Sequence, residues 1–283
     1  MINISQAIQE AAEILKNNRI AESLREANSI LSLVLEKNRS FIIAHTEYEL
    51  SSEEEEKFRN FIKRRANREP FQHIAGKQEF WGLDFIVTPD VLIPRSETEL
   101  IVEAAIEILR DLENPNFCEV GIGSGCISVS ILHEIKNAKA TGLDISNKTL
   151  EIAEKNAEKI GVLNRLELKV SDVFEVLDKT EKFDLIVSNP PYVPFEDMSN
   201  LQPEVRDFDP QIALTDGKDG LSIIGRIINN SPDFLKPDGF LLMEIGFNQS
   251  DKVRRMFDLQ IWREIEVFSD LQGIPRMIKA RIA

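Results

Sequence analysis

The sequence has little of what marks an extracellular, metal-binding or membrane-spanning protein. It contains only two cysteines, Cys118 and Cys126, and three histidines among 283 residues. Two cysteines make no disulfide framework, and scattered histidines make no metal site. No run approaches the roughly 18 apolar residues that a membrane-spanning helix requires, and the first residues do not have the pattern of a signal peptide. We therefore expect a cytoplasmic protein with reduced, buried thiols, no metal and no membrane span.

Acidic residues outnumber basic ones. Lys and Arg number 34 against 48 Asp and Glu, a net charge of −14, and the excess of acid lies mainly after residue 90. Tight binding to naked nucleic acid relies on neutralising phosphates, so no direct nucleic-acid partner is expected. The hydrophobic share of 42% suffices for the core of one large domain or two smaller ones.

The first 70 residues predict a small helical bundle, because apolar residues recur there at helical spacing. The segments are residues 5–18, 22–37 and 40–46, and a charged helix to Ala66 that Ser51 or Ser52 caps. The bundle also carries a basic cluster, which is expected to be a solvated face or, alternatively, to contact an acidic partner: Lys63, Arg64, Arg65 and Arg68. From Lys77 to Thr88 the apolar residues recur with a period near two, and Gly82 provides a turn between the two halves. This pattern predicts a β-hairpin.

A glycine-rich loop follows a short apolar strand over residues 117–122. A dinucleotide-binding loop would need its third glycine where Cys126 stands. The observed spacing is instead the one expected of a loop that binds S-adenosylmethionine, with Glu119 near the cationic end of the cofactor. A tight strand-to-helix turn is the alternative. The predicted cofactor residues of this loop are Glu119, Gly121, Ile122, Gly123, Ser124 and Gly125.

Two further strands end in residues suited to a nucleoside. Asp144 ends a strand about 20 residues after the loop, where a carboxylate can accept both ribose hydroxyls. Asp172 ends the next strand and could accept the adenine amino group, while Val173 packs on the ring. Each aspartate alone could instead be a helix cap. Ile145 completes the predicted cofactor set of this region.

The motif Asn189-Pro190-Pro191-Tyr192 comes directly after a fourth buried strand. Its prolines stiffen the backbone, so that the Asn189 side-chain oxygen and the Pro190 carbonyl form a fixed pair of acceptors. Such a pair suits a planar –NH2 group, against which the Tyr192 ring could stack. Asn189 is also predicted to be one of the cofactor-binding residues. The alternative is a Pro-Pro turn that caps a strand.

The predicted fold class is α/β, a Rossmann-like, mostly parallel sheet with its first and fourth strands adjacent. Residues 193–218 are either a lid over the substrate or a tolerated insertion. Arg95, beside a helix start, is either an ion-pair residue or faces the ligands. The last elements are predicted as a helix at 221–235, a strand at 239–245, a helix at 249–257 and an antiparallel pair at 261–268 and 277–282.

Along nearly its whole length the chain resembles the peptide chain release factor glutamine methyltransferases of the HemK/PrmC family. The matching motifs are the glycine loop, Asn189-Pro190-Pro191-Tyr192, Arg68-x-Pro70-x-Gln72-His73-Ile74-x-Gly76, Glu79-Phe80-Trp81-Gly82-Leu83 and Leu92-Ile93-Pro94-Arg95-x-Glu97-Thr98-Glu99. The chain departs from the family pattern in two places. The family usually has Pro where Ser96 stands, and Asp-Leu-Gly-Thr-Gly where Glu119-Val120-Gly121-Ile122-Gly123 stands. Ile122 in place of Thr removes a hydroxyl near the cofactor.

The resemblance implies a class I S-adenosylmethionine-dependent methyltransferase that acts on the glutamine of the Gly-Gly-Gln motif in class I release factors. It implies a helical substrate-recognition domain at 1–75, a hairpin linker at 76–94 and a catalytic domain at 95–283. Asn189, Pro190 and Tyr192 would be catalytic, and Arg95, Glu97 and Pro191 would join them in binding substrate. We expect a monomer. A ribosomal-protein glutamine, or the adenine amino group of DNA or RNA, remains an alternative substrate.

Overall fold

The computed structural model describes residues 2–283, which divide into two compact units. The first contains the chain up to Gly76 together with Gln202–Phe208, and the second contains Lys77–Leu201 and Asp209–Ala283. The hairpin predicted as a linker thus belongs to the second unit. The segment predicted as a lid is shared between the two units, because seven of its residues pack in the first.

The first unit is a bundle of amphipathic helices around an apolar core. Asn3 and Ser51 begin two of the helices with capping boxes. Each of these side chains accepts the backbone N–H of the residue three positions later, Gln6 or Glu54, whose side chain accepts the backbone N–H of the capping residue. The helices are α1 (Ile4–Asn17), α2 (Ser23–Leu35), α3 (Arg39–Ala44), α4 (Ser52–Ala66) and α5 (Phe71–Ala75). The helical segments predicted from the apolar spacing are confirmed to within about two residues at each end.

The second unit begins with the antiparallel hairpin and continues as an alternation of helices and strands. From Lys77 onward the elements in chain order are β1 (Lys77–Phe80), β2 (Leu83–Ile86), α6 (Glu99–Leu109), β3 (Asn116–Val120), α7 (Cys126–Glu134), β4 (Lys139–Asp144), α8 (Asn147–Ile160), β5 (Leu166–Val170), β6 (Phe183–Ser188), α9 (Pro203–Arg206), α10 (Gln211–Leu214), α11 (Ser222–Asn230), β7 (Leu235–Glu244), α12 (Ser250–Arg254), β8 (Trp262–Ser269) and β9 (Pro275–Ile282). Of these, α9 belongs to the first unit.

Seven strands form the central sheet in the order β5-β4-β3-β6-β7-β9-β8. The first five are parallel, and β9 lies antiparallel between β7 and β8. Helices α6, α7 and α8 bury their apolar residues against one face, and α11 and α12 cover the other. The α/β class, the adjacency of β3 and β6 and the terminal antiparallel pair are confirmed. All carboxyl ends of the parallel strands meet at one edge.

The helix predicted over residues 221–235 is shorter in the structure than in the prediction. In the structure α11 stops at Asn230, a single 3-10 turn covers Ser231–Asp233, and Leu235 already begins β7. Pro232 explains the difference, because it has no N–H with which to continue the helical hydrogen-bond ladder.

The basic cluster of α4 is less solvated than predicted. Arg65 is only 6% exposed, and its guanidinium binds Glu26 at 2.6 Å and Glu204 at 3.0 Å. Arg68 binds the other oxygen of Glu204 at 2.5 Å. Glu204 lies on α9, so the two arginines hold this short helix within the first unit. The spacing of charges along α4 could not reveal a partner that is more than 130 residues away in sequence.

Candidate active site

A cavity of about 360 Å³ opens at the carboxyl edge of β3, β4, β5 and β6. This is the place where ligands bind in open parallel sheets. Its lining includes Arg95, Thr98, Glu119, Gly121, Ile122, Gly123, Ser124, Asp144, Ile145, Asp172, Val173, Asn189 and Pro191. The structure thus brings together predicted residues from four strand ends. Pro190, Tyr192, Glu97 and Gly125 are not among the lining residues.

The glycine loop owes its shape to three backbone conformations that favour glycine. Gly121, Gly123 and Gly125 have φ angles of 74°, 57° and 81°, in the region where a side chain is strained. At Gly125 a Cβ atom would also lie 3.3 Å from the Cβ of Ala153. The N–H groups of Gly121 and Ile122 donate to the Leu143 carbonyl, which ties the loop to β4. At Gly121 and Gly123, which have no side chain and line the cavity, the loop backbone is open to a ligand.

Asp144 closes one side of this loop. Its carboxylate accepts N–H groups from Gly123 at 3.1 Å and from Ser146 at 3.0 Å. Burial raises the pKa of Asp144, and these backbone donors counteract the effect. A carboxylate has about four acceptor positions, so two remain for hydroxyl groups of a ligand in the cavity.

Glu119 supplies a second, more deeply buried carboxyl group. It is 1% exposed, accepts the N–H of Ser128 at 2.9 Å, and burial raises its pKa to about 8. The hydroxyl of the neighbouring Ser124 is buried and has no hydrogen-bond partner among the described residues. A cationic, polar ligand would supply an opposite charge to Glu119 and a hydrogen-bond partner to Ser124. The two groups therefore fit the sulfonium and amino end of S-adenosylmethionine.

Asp172 and Val173 follow β5 at the far side of the cavity. Asp172 forms an ion pair with Arg226 of α11 at 2.9 Å. Val173 has a φ of 56°, which is a genuine outlier for a β-branched residue, and its side chain is buried. Such strain persists where the surroundings fix it, and it concentrates at ligand sites.

Asn189 belongs to a chain of hydrogen bonds that leads through Thr98 to Glu244. Its Nδ2 donates to the Thr98 hydroxyl at 3.2 Å, and that hydroxyl donates to Glu244 Oε2 at 2.6 Å. Tyr192 donates its phenol to the other oxygen of Glu244 at 3.0 Å. The Tyr192 carbonyl also accepts the side-chain amide of Gln249 at 2.8 Å. The motif is therefore held at both of its ends.

Arg95 combines the two roles left open by the sequence. It lines the cavity, and its guanidinium pairs with Asp209 at 2.5 Å. The Asp209 side chain is fully buried, and burial raises its pKa to about 6 although Arg95 lowers it. Glu97 lies nearby in a 3-10 turn and accepts the Ser96 hydroxyl.

Comparison with known proteins decides the family. The PrmC N-terminal domain family matches residues 6–76, and a methyltransferase domain family matches residues 111–257. A release factor glutamine methyltransferase of Koribacter versatilis is 36% identical over 99% of both chains, and one of Geobacter sulfurreducens is 40% identical over 91% of this chain and 89% of its own. The chain belongs to the release factor glutamine methyltransferase family.

The family assignment makes the chain an S-adenosylmethionine-dependent methyltransferase and confirms the resemblance read from its motifs. The fold agrees with this assignment. The structure of the T. thermophilus 16S rRNA N2 G1207 methyltransferase, in complex with AdoMet and guanosine, matches 72% of this chain and 49% of that one, with a TM-score of 0.52 and 16% identity. At that identity the likeness shows the fold alone. In residues 2–283 no helix is long and apolar enough to cross a membrane.

For this member of the release factor glutamine methyltransferase family, the structure adds site residues that sequence reasoning missed. In the sequence Thr98 is only part of a motif, and Glu244 lies only within the strand predicted at 239–245. A usable signal existed for Glu244: an acidic residue ends the apolar strand β7 at the same sheet edge as Asp144 and Asn189. No local signal pointed to Asp209 or Arg226.

Proposed function

We propose that the chain transfers a methyl group from S-adenosylmethionine to the side-chain amide nitrogen of the glutamine in the Gly-Gly-Gln motif of class I release factors. The products would be N(5)-methylglutamine and S-adenosylhomocysteine. The observation that carries the proposal is the position of Asn189 beside the glycine loop. Strands β3 and β6 are paired, with Val120 opposite Ser188. The predicted cofactor site after β3 and the predicted carboxamide site at Asn189 after β6 therefore share one cavity.

The cavity supports the cofactor half of the proposal. The glycine loop and Glu119 would hold the amino acid and sulfonium end, Asp144 the ribose, and Asp172 with Val173 the adenine. When bound there, S-adenosylmethionine supplies an electrophilic methyl group. Because Arg226 occupies one oxygen of Asp172, the adenine amino group would use the remaining acceptor positions of that carboxylate.

The motif supports the substrate half. The Asn189 side-chain oxygen and the Pro190 carbonyl would accept the two N–H bonds of the glutamine carboxamide. An amide nitrogen is a poor nucleophile, so the main contribution of these residues is to hold it in line with the methyl group. No strong base is required, because the nitrogen becomes acidic only as the new bond forms and water can take the proton.

The remaining predicted residues have supporting roles in this proposal. The stacking of Tyr192 on the carboxamide stays a prediction, and its hydrogen bond to Glu244 suggests an additional role in holding the motif. Arg95 and Pro191 line the cavity and could contact the substrate, whereas Glu97 would have to reach it from outside that lining. We propose that the protein acts as a monomer in the cytoplasm.

Isotope-labelled cofactor tests the substrate class directly. The protein is incubated in parallel with a class I release factor, with ribosomal proteins and with duplex DNA or RNA. Label in the release factor alone supports the proposal. Label confined to a ribosomal protein or to nucleic acid would replace it with one of the alternatives.

A further inference from the structure

We infer that Thr98 and Glu244 are positioning residues that fix which end of the Asn189 carboxamide faces the substrate. This inference rests on the proposed function, because it concerns recognition of a substrate carboxamide at Asn189. It assigns a purpose to a buried carboxylate that neither the cofactor nor the methyl transfer requires.

The three side chains form a continuous, buried line. Thr98 is 2% exposed and Glu244 is 3% exposed. The Asn189 Nδ2 lies 3.2 Å from the Thr98 oxygen, which lies 2.6 Å from Glu244. Within the described residues this is the only hydrogen bond of the Asn189 side chain, so its Oδ1 accepts nothing from the protein and is available to a ligand.

The direction of these hydrogen bonds follows from what each group can donate. An ionised carboxylate can only accept, so the single proton of the Thr98 hydroxyl must point to Glu244. The Thr98 oxygen can then only accept from Asn189, which turns the –NH2 end of Asn189 toward Thr98. A flipped amide would place Oδ1 against an oxygen lone pair and would present donors to the substrate.

Each carboxyl oxygen of Glu244 lies within hydrogen-bond distance of a hydroxyl group, Oε2 near that of Thr98 and Oε1 near that of Tyr192. Burial raises its pKa, while the hydroxyls of Thr98 and Tyr192 and the charge of Arg276 act in the opposite direction. Tyr192 remains a donor at neutral pH, because burial and Glu244 raise the pKa of its phenol. Both carboxylate oxygens therefore receive a hydroxyl donor.

The consequence is selectivity for an amide over a carboxylate. A glutamine –NH2 group donates to Asn189 Oδ1, whereas a glutamate in its place brings a second acceptor and is repelled. If the Asn189 amide were free to flip, it would offer N–H donors to glutamate, and the discrimination would shrink.

The test compares two forms of the release factor, one with the Gly-Gly-Gln motif and one with Gly-Gly-Glu. The first is used as substrate and the second as a competitive ligand. Thr98→Val keeps the shape and removes the hydroxyl, and Thr98→Ser restores it. We expect Thr98→Val to lower kcat and the preference for glutamine over glutamate, each roughly 10- to 100-fold, which matches the loss of one buried hydrogen-bond partner. Cofactor affinity should be unchanged, and Thr98→Ser should recover both quantities.

Glu244→Gln provides a second variant of nearly identical shape. Tyr192 would donate to the glutamine oxygen, so the new –NH2 group would face Thr98 and donate to it. The Thr98 proton would then point to Asn189 and favour the flipped amide. We expect this variant also to lose the preference for glutamine while it retains cofactor binding and the melting temperature within a few degrees.

Three results would overturn the inference. One is an unchanged preference for glutamine in folded Thr98→Val and Glu244→Gln. A second is an equal loss in Thr98→Ser. A third is a loss that merely follows reduced cofactor affinity or stability, since that would show a structural role. Failure of the wild-type protein to methylate any release factor is distinguishable from all three, because it refutes the proposed function in the control arm and the inference falls with it.

Discussion

Gly220 packs directly against the backbone of Tyr192. A Cβ atom at Gly220 would lie 2.6 Å from the Tyr192 carbonyl carbon and would overlap its oxygen. The Gly220 N–H donates to Asp216 at 2.9 Å, and its φ of 74° also requires glycine. Gly220, two residues beyond the segment predicted as a lid, therefore helps to fix the position of the Asn189–Tyr192 motif.

This contact makes a matched pair of alanine variants informative. Gly217 has nearly the same φ, 75°, but a Cβ there would meet nothing within 4 Å. Gly217→Ala should cost about 1 to 2 kcal/mol from backbone strain alone. Gly220→Ala should cost about 1 to 3 kcal/mol more, because the motif must move. Denaturant unfolding gives the two costs and turnover gives the effect on the site. Equal stability and turnover in the two variants would refute the contact.

Asn189→Ala should abolish methyl transfer without loss of the cofactor. Misplacing a reacting group by about 1 Å can reduce a rate roughly 100-fold, and we expect at least that loss in kcat. Calorimetry should give an unchanged affinity for S-adenosylmethionine. Asn60→Ala, at an exposed position of α4, is the control and should behave as wild type. Near-normal turnover of Asn189→Ala would remove Asn189 from the mechanism.

Glu119 should make the stability of the ligand-free protein depend on pH. Its pKa is raised from 4.5 to about 8 in the folded state, so its contribution is fully present below about pH 4.5 and is lost as the pH rises through about 8. Relative to Glu119→Gln, the free energy of unfolding of the wild type should fall across that window. Unfolding at several pH values checks this, and a constant difference between the two proteins would contradict it.

The same ionisation should couple to cofactor binding. A cationic ligand favours the charged form of Glu119, so binding near pH 7 should release protons, and affinity should rise with pH. Calorimetry in two buffers of different ionisation enthalpy measures the released protons. In Glu119→Gln the release should largely disappear. Proton uptake on binding by the wild type would be incompatible with this placement of the cofactor.

Breaking the Arg95–Asp209 pair should destabilise the protein more at high pH than at low pH. The pKa of Asp209 is about 6 with Arg95 in place and should rise further in Arg95→Met. A raised carboxyl pKa gives stability that is lost as the pH rises through it. Arg95→Met should therefore cost more at about pH 8 than at about pH 5. In the double variant with Asp209→Asn, this pH dependence should vanish, and its persistence there would point to another group.

The sequence predicted the residues whose positions follow from local rules. Asp144 and Asn189 each end an apolar strand, and the carboxyl ends of parallel strands meet at one edge, so their proximity could be inferred without coordinates. The glycine loop could be predicted equally well, because the spacing of its glycines is typical of a backbone with positive φ angles at those positions. For the same reason the helix caps at Ser51 and the hairpin turn at Gly82 were predictable.

Side-chain partners distant in sequence could not be read in this way. Thr98 and Glu244 are 146 residues apart, and Arg95 and Asp209 are 114 apart. Which carboxylate meets which donor depends on the strand order and on the path of the long segment after β6. Neither leaves a periodic pattern in the sequence. The buried state of Arg65 was missed for the same reason, since its partner Glu204 lies on that segment.

The most direct measurement is the mass of the Gly-Gly-Gln peptide from a release factor co-expressed with this protein. The account predicts one added methyl group on the glutamine with the wild type, and none with Asn189→Ala. An unmodified glutamine in the presence of wild-type protein and S-adenosylmethionine, or a methyl group on another residue, would contradict it.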